Sequence, residues 1–215
     1  MGAALGSTGV TDDSRPDGPG DVGKGGLSAA LGAAGVTQAG TVLQADELRL
    51  GVHGQVRRVL APRGVKVVQR VQIEYRWRYL LLGVDPRTGA LRWRWLDRFR
   101  QEHLKPVLAE WAPDAVVWDG AGAHRGKQLG DLPIERISLP PSSPELTPAE
   151  RVLEEVRRRV EGRVYDSLDA KQAEVEAYLQ ELAADPERVT RLRGWEWILA
   201  AFRSLPTDAP RAAAE

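Results

Sequence analysis

The chain has 215 residues, of which 42% are hydrophobic and 28% charged, the proportions of a globular protein with one substantial core. It contains no cysteine, which excludes disulfides and thiolate metal sites, and its three histidines argue against a His-rich zinc site. No apolar run approaches the roughly 20 residues that a bilayer span requires, and the N-terminus lacks the features of a signal peptide. We therefore expect a cytoplasmic protein without membrane contact.

The charges balance over the whole chain but are unevenly distributed along it. Residues 49–105 carry 14 Lys/Arg against 4 Asp/Glu, a balance of +10. Residues 1–48 carry 2 against 6 and residues 106–215 carry 14 against 20, so the two flanks contribute −4 and −6. A strongly basic segment inside a neutral chain indicates a surface for a polyanion.

The first half of the chain predicts a flexible tail followed by strands. Residues 1–40 hold 11 of the 22 glycines and no sustained apolar period, which is typical of a flexible tail with at most a weak helical turn near Leu27. The β-branched and apolar patterns that follow predict an antiparallel meander. Its three strands are 41–48, 78–84 and 91–96, and the alternation at 65–75 predicts a further, half-exposed strand.

The second half predicts alternating helices and strands. A helix at 99–111, with Pro106 as an alternative start, precedes an apolar strand that ends at Asp119. The remaining elements are a short helix around Lys127, a strand at 134–139, and helices at 147–161, from Ser167, and at 195–202. The order predicts an α/β fold, a three-strand antiparallel meander followed by parallel α/β units. We assign this domain to 41–205 and a disordered tail to 206–215.

Three acidic residues fall at the ends of predicted elements. Asp46 lies near the end of the first strand, Asp119 ends the fourth, and Glu150 lies in the first turn of a helix. If the first and fourth strands are neighbours, Asp46 and Asp119 converge, and carboxylates suit hard divalent ions. Two alternatives remain open: Glu47 could replace Asp46 as a ligand, and a capping box starting at Thr147 would explain Glu150 without a metal.

Aromatic and basic residues interleave at 75–79 and 92–95. This pattern places aromatic side chains in the core and arginines on the other face, where they are solvated or meet DNA phosphates. Arg157, Arg158 and Arg159 predict a solvated helix face. His124 could bind a loop carbonyl or lie beside the acids as a phosphate or water partner. The candidates for DNA contact are Arg57, Arg58, Arg63, Lys66, Arg76, Arg78, His124 and Lys127.

Three motifs carry a resemblance to a known family. They are the doublet Asp46-Glu47, the D-x-A-x-x-H run from Asp119 to His124, and the L-P-P-x-S-P-E-L-x-P-x-E run ending at Glu150. Over residues 41–203 the sequence resembles the DDE transposases of the mariner superfamily, and more narrowly their bacterial insertion-sequence branch. The resemblance implies an RNase H-like, retroviral-integrase-like mixed sheet. It also implies a catalytic triad of Asp46, Asp119 and Glu150 that binds two Mg²⁺ or Mn²⁺ ions.

The same resemblance implies a reaction and its partners. The family hydrolyses DNA at transposon ends, and the freed 3′-hydroxyl attacks target DNA, usually at a TA dinucleotide. Its partners would be terminal inverted repeats and target DNA, bound by a homodimer.

The sequence also departs from the family pattern. Gly120 and Thr147 stand where the family commonly has Asn, and 31 positions separate Asp119 from Glu150. The family's helix-turn-helix region is missing, so a separate polypeptide could supply it. The alternative function is an inactive or truncated transposase remnant that acts only in DNA binding and regulation.

Overall fold

The fold is a five-stranded mixed sheet with helices on both faces. The computed structural model describes residues 26–52, 60–68, 75–124, 127–139, 147–193 and 196–207. The strands are β1 (Val42–Gly51), β2 (Trp77–Val84), β3 (Leu91–Leu96), β4 (Ala115–Trp118) and β5 (Glu135–Ser138). The helices are α1 (Leu27–Ala33), α2 (Gln101–Trp111), α3 (Pro148–Val160), α4 (Leu168–Ala183), α5 (Pro186–Arg193) and α6 (Glu196–Arg203), with a 3₁₀ turn at Lys127–Leu129.

The sheet has the order β3-β2-β1-β4-β5, with β1 at its centre. β1 pairs antiparallel with β2, and β2 pairs antiparallel with β3. On its other side β1 pairs parallel with β4, which pairs parallel with β5. The predicted meander followed by parallel units is therefore confirmed, and so is the predicted contact between the first and fourth strands.

Successive residues of β1 face different cores. Leu48 and Leu50 contribute to a core beneath α3, α4 and α5. Leu43 and Ala45 lie on the opposite face, in a core that includes the apolar side of α2. Because side chains alternate along a strand, the neighbours Asp46 and Glu47 lie on opposite faces of the sheet.

The folded part begins earlier than the sequence predicted. The segment 27–33 is a helix rather than part of a flexible tail, and its Leu27 and Leu31 are almost fully buried in a core shared with α6. The Gln38 side chain donates hydrogen bonds to the carbonyls of Arg203 and Leu205, which fastens the following loop to the same helix. Seven residues are too few to show the apolar period that predicts a helix from sequence. This helix is stabilised by its contacts with a segment distant in the chain. Residues 1–25 and 208–215 lie outside the described residues.

Two further predictions about secondary structure were wrong. Pro106 lies inside α2 and does not start it; the helix is fixed by buried residues on both sides of the proline, including Leu104 and Leu108. The stretch predicted as a strand at 65–75 is irregular in its described parts, where Val68 is 80% exposed. The neighbours of β1 are β2 and β4, so the described residues 65–68 and 75 do not pair with it. Residues 69–74 lie outside the described residues.

The last third of the chain follows the sequence closely. α3 starts at Pro148, as a proline in a first helical turn favours. Ser167 caps α4, its hydroxyl accepting a hydrogen bond from the Ala170 amide at 3.0 Å, as predicted. α5 was not predicted. No described helix combines the length and the apolar character that a membrane crossing needs.

Candidate active site

The strand register brings two of the candidate acids to the same level of the sheet. Gln44 of β1 lies beside Val117 of β4 in the parallel ladder. Two residues further on, Asp46 is therefore level with Asp119, which follows directly after the end of β4. The carboxyl end of a parallel strand next to a central strand is where open α/β sheets commonly bind ligands.

Asp46 forms a hydrogen-bonded pair with Glu150 of α3. Its side chain projects to the face that α3 covers, and its Oδ1 also accepts a hydrogen bond from the Glu47 amide at 2.8 Å. The pKa of Asp46 is raised to about 9, because burial disfavours the charged carboxylate and because its side chain is hydrogen-bonded to Glu150. At neutral pH this pair of carboxyl groups therefore holds one proton.

Glu150 is the charged member of the pair. Arg157, two turns further along α3, donates a hydrogen bond from Nη1 to Glu150 Oε1 at 2.6 Å. Burial alone would raise the pKa of Glu150, but the hydrogen bonds of Asp46 and Arg157 and the charges of Arg157 and Arg151 bring it below its ordinary value. Arg157 was predicted to be part of a solvated face; instead it is half-buried against Glu150 because its i+7 position returns it to the same side of the helix.

The alternative explanation of Glu150 as part of a capping box does not hold. Thr147 is the N-cap residue of α3, but its side chain makes no capping hydrogen bond. The side chain of Glu150 is instead directed to Arg157 and Asp46. Glu150 therefore lies in the helix's first turn but serves the contact between α3 and β1.

Asp119 is engaged by a different partner. Its Oδ1 accepts a hydrogen bond from the Ala121 amide at 3.0 Å and lies 2.7 Å from Nδ1 of His124. The Asp119 side chain is 57% exposed, whereas the imidazole is 1% exposed. His124 is thus an interior neighbour of Asp119 and does not offer its ring to DNA on the surface.

Glu47, the second acid of the doublet, lies on the α2 face of the sheet. Its Oε2 is 3.6 Å from Nε2 of His124. Burial raises the pKa of Glu47; His124 opposes the shift, and the negative charge of Asp119 adds to it. Glu47 is therefore close to Asp119 and His124, while Asp46 is in contact with Glu150.

The acids form two adjacent groups rather than one cluster. Within the described ranges, no set of three acidic or histidine side chains is close enough to hold a metal ion. Asp119 is the most exposed of the candidates and links the two groups, because it contacts His124 and follows β4 at the level of Asp46. The oxygen donors of these three carboxylates suit Mg²⁺ or Mn²⁺, which need few protein ligands.

Some basic residues of the predicted DNA surface are paired with acids, and others are exposed. Arg78 is bound to α4, at 2.7 Å from Asp169, and is not free to meet a phosphate without breaking this pair. Arg94 and Lys105 are paired with Glu110 and Asp131, so acids from outside the basic segment neutralise part of its charge. The candidates on the surface are Arg63, Lys66, Arg76 and Lys127. Arg57 and Arg58 lie outside the described residues.

Comparison with known proteins identifies the fold. No family model and no curated protein matches the sequence. Solved structures of the Mos1 transposase do match. The mariner paired-end complex with Mn is 14% identical with a TM-score of 0.58, and the match covers 84% of this chain and 59% of that one. The pre-cleavage transpososome is 13% identical with a TM-score of 0.56, over 86% and 64% of the two chains. The paired-end complex with Mg is 14% identical with a TM-score of 0.54, over 94% and 66%.

These matches concern the fold alone, since so few residues are identical. The chain spans about three fifths of the length of the Mos1 chains. The mixed five-stranded sheet with its helices is the RNase H-like fold that the sequence predicted, in the form found in a mariner transposase. The narrower assignment to the bacterial insertion-sequence branch stays a prediction.

Proposed function

We propose that this chain is the catalytic domain of a DDE-type transposase, with Asp46, Asp119 and Glu150 as the ligands of two Mg²⁺ or Mn²⁺ ions. The observation that carries the proposal is the hydrogen-bonded pair of Asp46 and Glu150 beside the strand end that bears Asp119. The fold supports it, because the matched Mos1 structures are described as paired-end and strand-transfer complexes, some with Mn or Mg.

The contact between Asp46 and Glu150 destabilises the fold unless a cation binds there. Two carboxyl groups in contact cannot both ionise in a partly buried site, and one of them must hold a proton. A divalent ion removes this cost by replacing the proton. Metal binding therefore explains why two acids are in contact here, and packing alone does not. Arg157 keeps Glu150 ionised, and so maintains a negative charge for an incoming cation.

The proposed reaction joins hydrolysis to strand transfer. Divalent ions bound in such a site lower the pKa of a water molecule and stabilise the charge on the leaving oxygen. The water oxygen forms a bond to phosphorus while the bond to the 3′-oxygen breaks, and that oxygen takes up a proton. The resulting 3′-hydroxyl then attacks a phosphodiester of target DNA, where one P–O bond forms and another breaks. The substrates are the terminal inverted repeats and a target such as TA.

The proposal extends to the DNA surface and the assembly. The exposed Arg63, Lys66, Arg76 and Lys127 are placed to neutralise phosphates, so binding should weaken steeply with salt. We propose a homodimer that holds two transposon ends, with a helix-turn-helix region recognising the end sequence.

Metal binding tests the proposal without knowledge of the DNA sequence. Mn²⁺ is titrated calorimetrically into the wild type, Asp46→Ala and Asp119→Ala, with Glu135→Gln as a control that removes an exposed acid of β5. Both alanine variants should lose Mn²⁺ binding, while the control binds like the wild type. A well-folded wild type without binding at millimolar Mn²⁺ would refute the proposal.

An inactive remnant that only binds DNA is the second candidate. It is favoured by the division of the acids into two groups, since no three acidic or histidine side chains among the described residues are close enough to hold a metal ion. Nicking of supercoiled plasmid in Mn²⁺ separates the two candidates. Nicking that disappears in Asp119→Ala identifies an enzyme, whereas DNA binding without any nicking identifies the remnant.

A further inference from the structure

We infer that His124 is a positioning residue that fixes the carboxylate of Asp119, and that Glu47 supports it from behind. The inference rests on the proposed function, because it assigns a role in preparing a metal ligand. It gives Glu47 a task different from that of a ligand, and so separates the two acids of the doublet.

Aromatic neighbours hold the imidazole in one plane. The ring of His124 stacks on Trp118, with 4.2 Å between centroids and an angle of 8° between planes. Phe99 meets the same ring edge-on, at 5.5 Å and 86°. The side chain is 1% exposed, so neither water nor a change of rotamer is readily available to it.

The geometry at Nδ1 defines the direction of the hydrogen bond. Nδ1 lies 2.7 Å from Asp119 Oδ1 and 3.0 Å from the backbone oxygen of Asp119. Both of these atoms are acceptors, so Nδ1 carries the proton and donates it. Asp119 follows the end of a strand and is largely exposed, and the donor at Nδ1 acts together with the Ala121 amide to restrict its rotamer.

Glu47 faces the other nitrogen of the ring. Its Oε2 and His124 Nε2 are both buried and lie 3.6 Å apart, and neither has a hydrogen-bond partner among the described residues. Burial of Glu47 Oε2 without a hydrogen bond lowers the stability of the fold. Its effect on the neighbouring His124 ring explains why this arrangement is kept. A carboxyl group therefore lies on each side of the imidazole, with Asp119 accepting from Nδ1 and Glu47 next to Nε2.

Three substitutions separate hydrogen bonding from packing. His124→Phe keeps a ring between Trp118 and Phe99 but removes both nitrogens. His124→Asn places an amide donor at the position of Nδ1 but loses the stack. Glu47→Gln keeps the size of the supporting side chain without its charge. Mn²⁺ affinity is measured by calorimetry and the melting temperature by circular dichroism, for each variant and for the wild type.

The inference predicts that affinity and stability change independently. His124→Phe should bind Mn²⁺ 10- to 100-fold more weakly, on the order of known losses from supporting residues, with a melting temperature close to that of the wild type. His124→Asn should melt lower but recover most of the affinity, and Glu47→Gln should lose several-fold.

Other outcomes overturn the inference. Wild-type affinity in His124→Phe would show that the ring only packs. Equal losses of affinity in His124→Phe and His124→Asn would show that the donor at Nδ1 is irrelevant. If Asp119→Ala leaves Mn²⁺ binding unchanged, the proposed function itself fails, and that result is distinguishable because it does not depend on His124.

Discussion

The substitution Asp46→Asn should stabilise the fold while it removes the proposed metal ligand. Asn fills the same volume, and its amide can donate a hydrogen bond to Glu150 without taking up a proton. The wild-type carboxyl group can do so only when protonated, since its pKa in the folded chain is about 9 as a result of burial and the contact with Glu150.

The size of the effect follows from the difference between folded and unfolded chains. The pKa of Asp46 is raised from 3.8 to about 9 on folding. Folding at pH 7 therefore takes up a proton, and this lowers the free energy of unfolding by at most about 4 kcal/mol. Asp46 is partly exposed, so solvent screening reduces the cost, and we expect Asp46→Asn to raise the free energy of unfolding by about 1–3 kcal/mol.

The sign of the pH dependence is fixed by the same shift. Below about pH 4 the carboxyl group is protonated in both states and costs nothing. As pH rises toward about 9 the cost grows, so the wild type should lose stability over this interval. Asp46→Asn should show a shallower loss, with the remaining slope due partly to Glu47, whose pKa is also raised by burial.

Urea unfolding in EDTA, followed by tryptophan fluorescence between pH 5 and 9, measures this difference. Glu135→Gln, which removes an exposed acid, should follow the wild type. Addition of Mg²⁺ should stabilise the wild type at pH 8 and leave Asp46→Asn unchanged. Equal pH slopes in the wild type and Asp46→Asn would refute the reasoning that the Asp46–Glu150 pair holds a proton.

Three further predictions test the packing of α1 and α4. Leu31→Ala should lower the free energy of unfolding by about 2–5 kcal/mol in chemical denaturation, because Leu31 is fully buried; no loss would mean that α1 is not part of the folded unit. Ser167→Ala should cost about 1 kcal/mol by loss of the α4 cap, and a matched Ser167→Asp should recover it in thermal melting. Glu176 accepts hydrogen bonds from the indoles of Trp93 and Trp95, so Glu176→Ala should cost about 1–3 kcal/mol and Glu176→Gln less; an equal cost for the two would contradict this account.

Local patterns in the sequence were sufficient for most of the secondary structure. The alternation and apolar runs predicted the central strands, and Leu91–Leu96 was predicted to the residue. Ser167 predicted its own helix start, because a cap uses only atoms three residues away. The motifs around Asp46, Asp119 and Glu150 predicted an RNase H-like fold, which the match to Mos1 structures confirms.

Long-range packing decided how these residues are used. Whether Asp46 or Glu47 meets Glu150 depends on which face of β1 lies under α3, and alternation alone permits either face. The pairing of Arg157 with Glu150 and the burial of His124 against Trp118 depend on contacts between elements, as does the helix at Leu27–Ala33.

The physical reason is the range of the interactions. Periodicity, caps and turns arise from atoms within a few residues of each other, so the sequence displays them directly. Burial, desolvation and the sharing of a proton arise only when distant segments meet. The sequence by itself determined that Asp119 follows a strand end and Glu150 lies in a first helical turn, but it ended β1 too early, since Asp46 lies in the middle of Val42–Gly51. The tertiary structure decided that Asp46 pairs with Glu150 while Asp119 is held by His124.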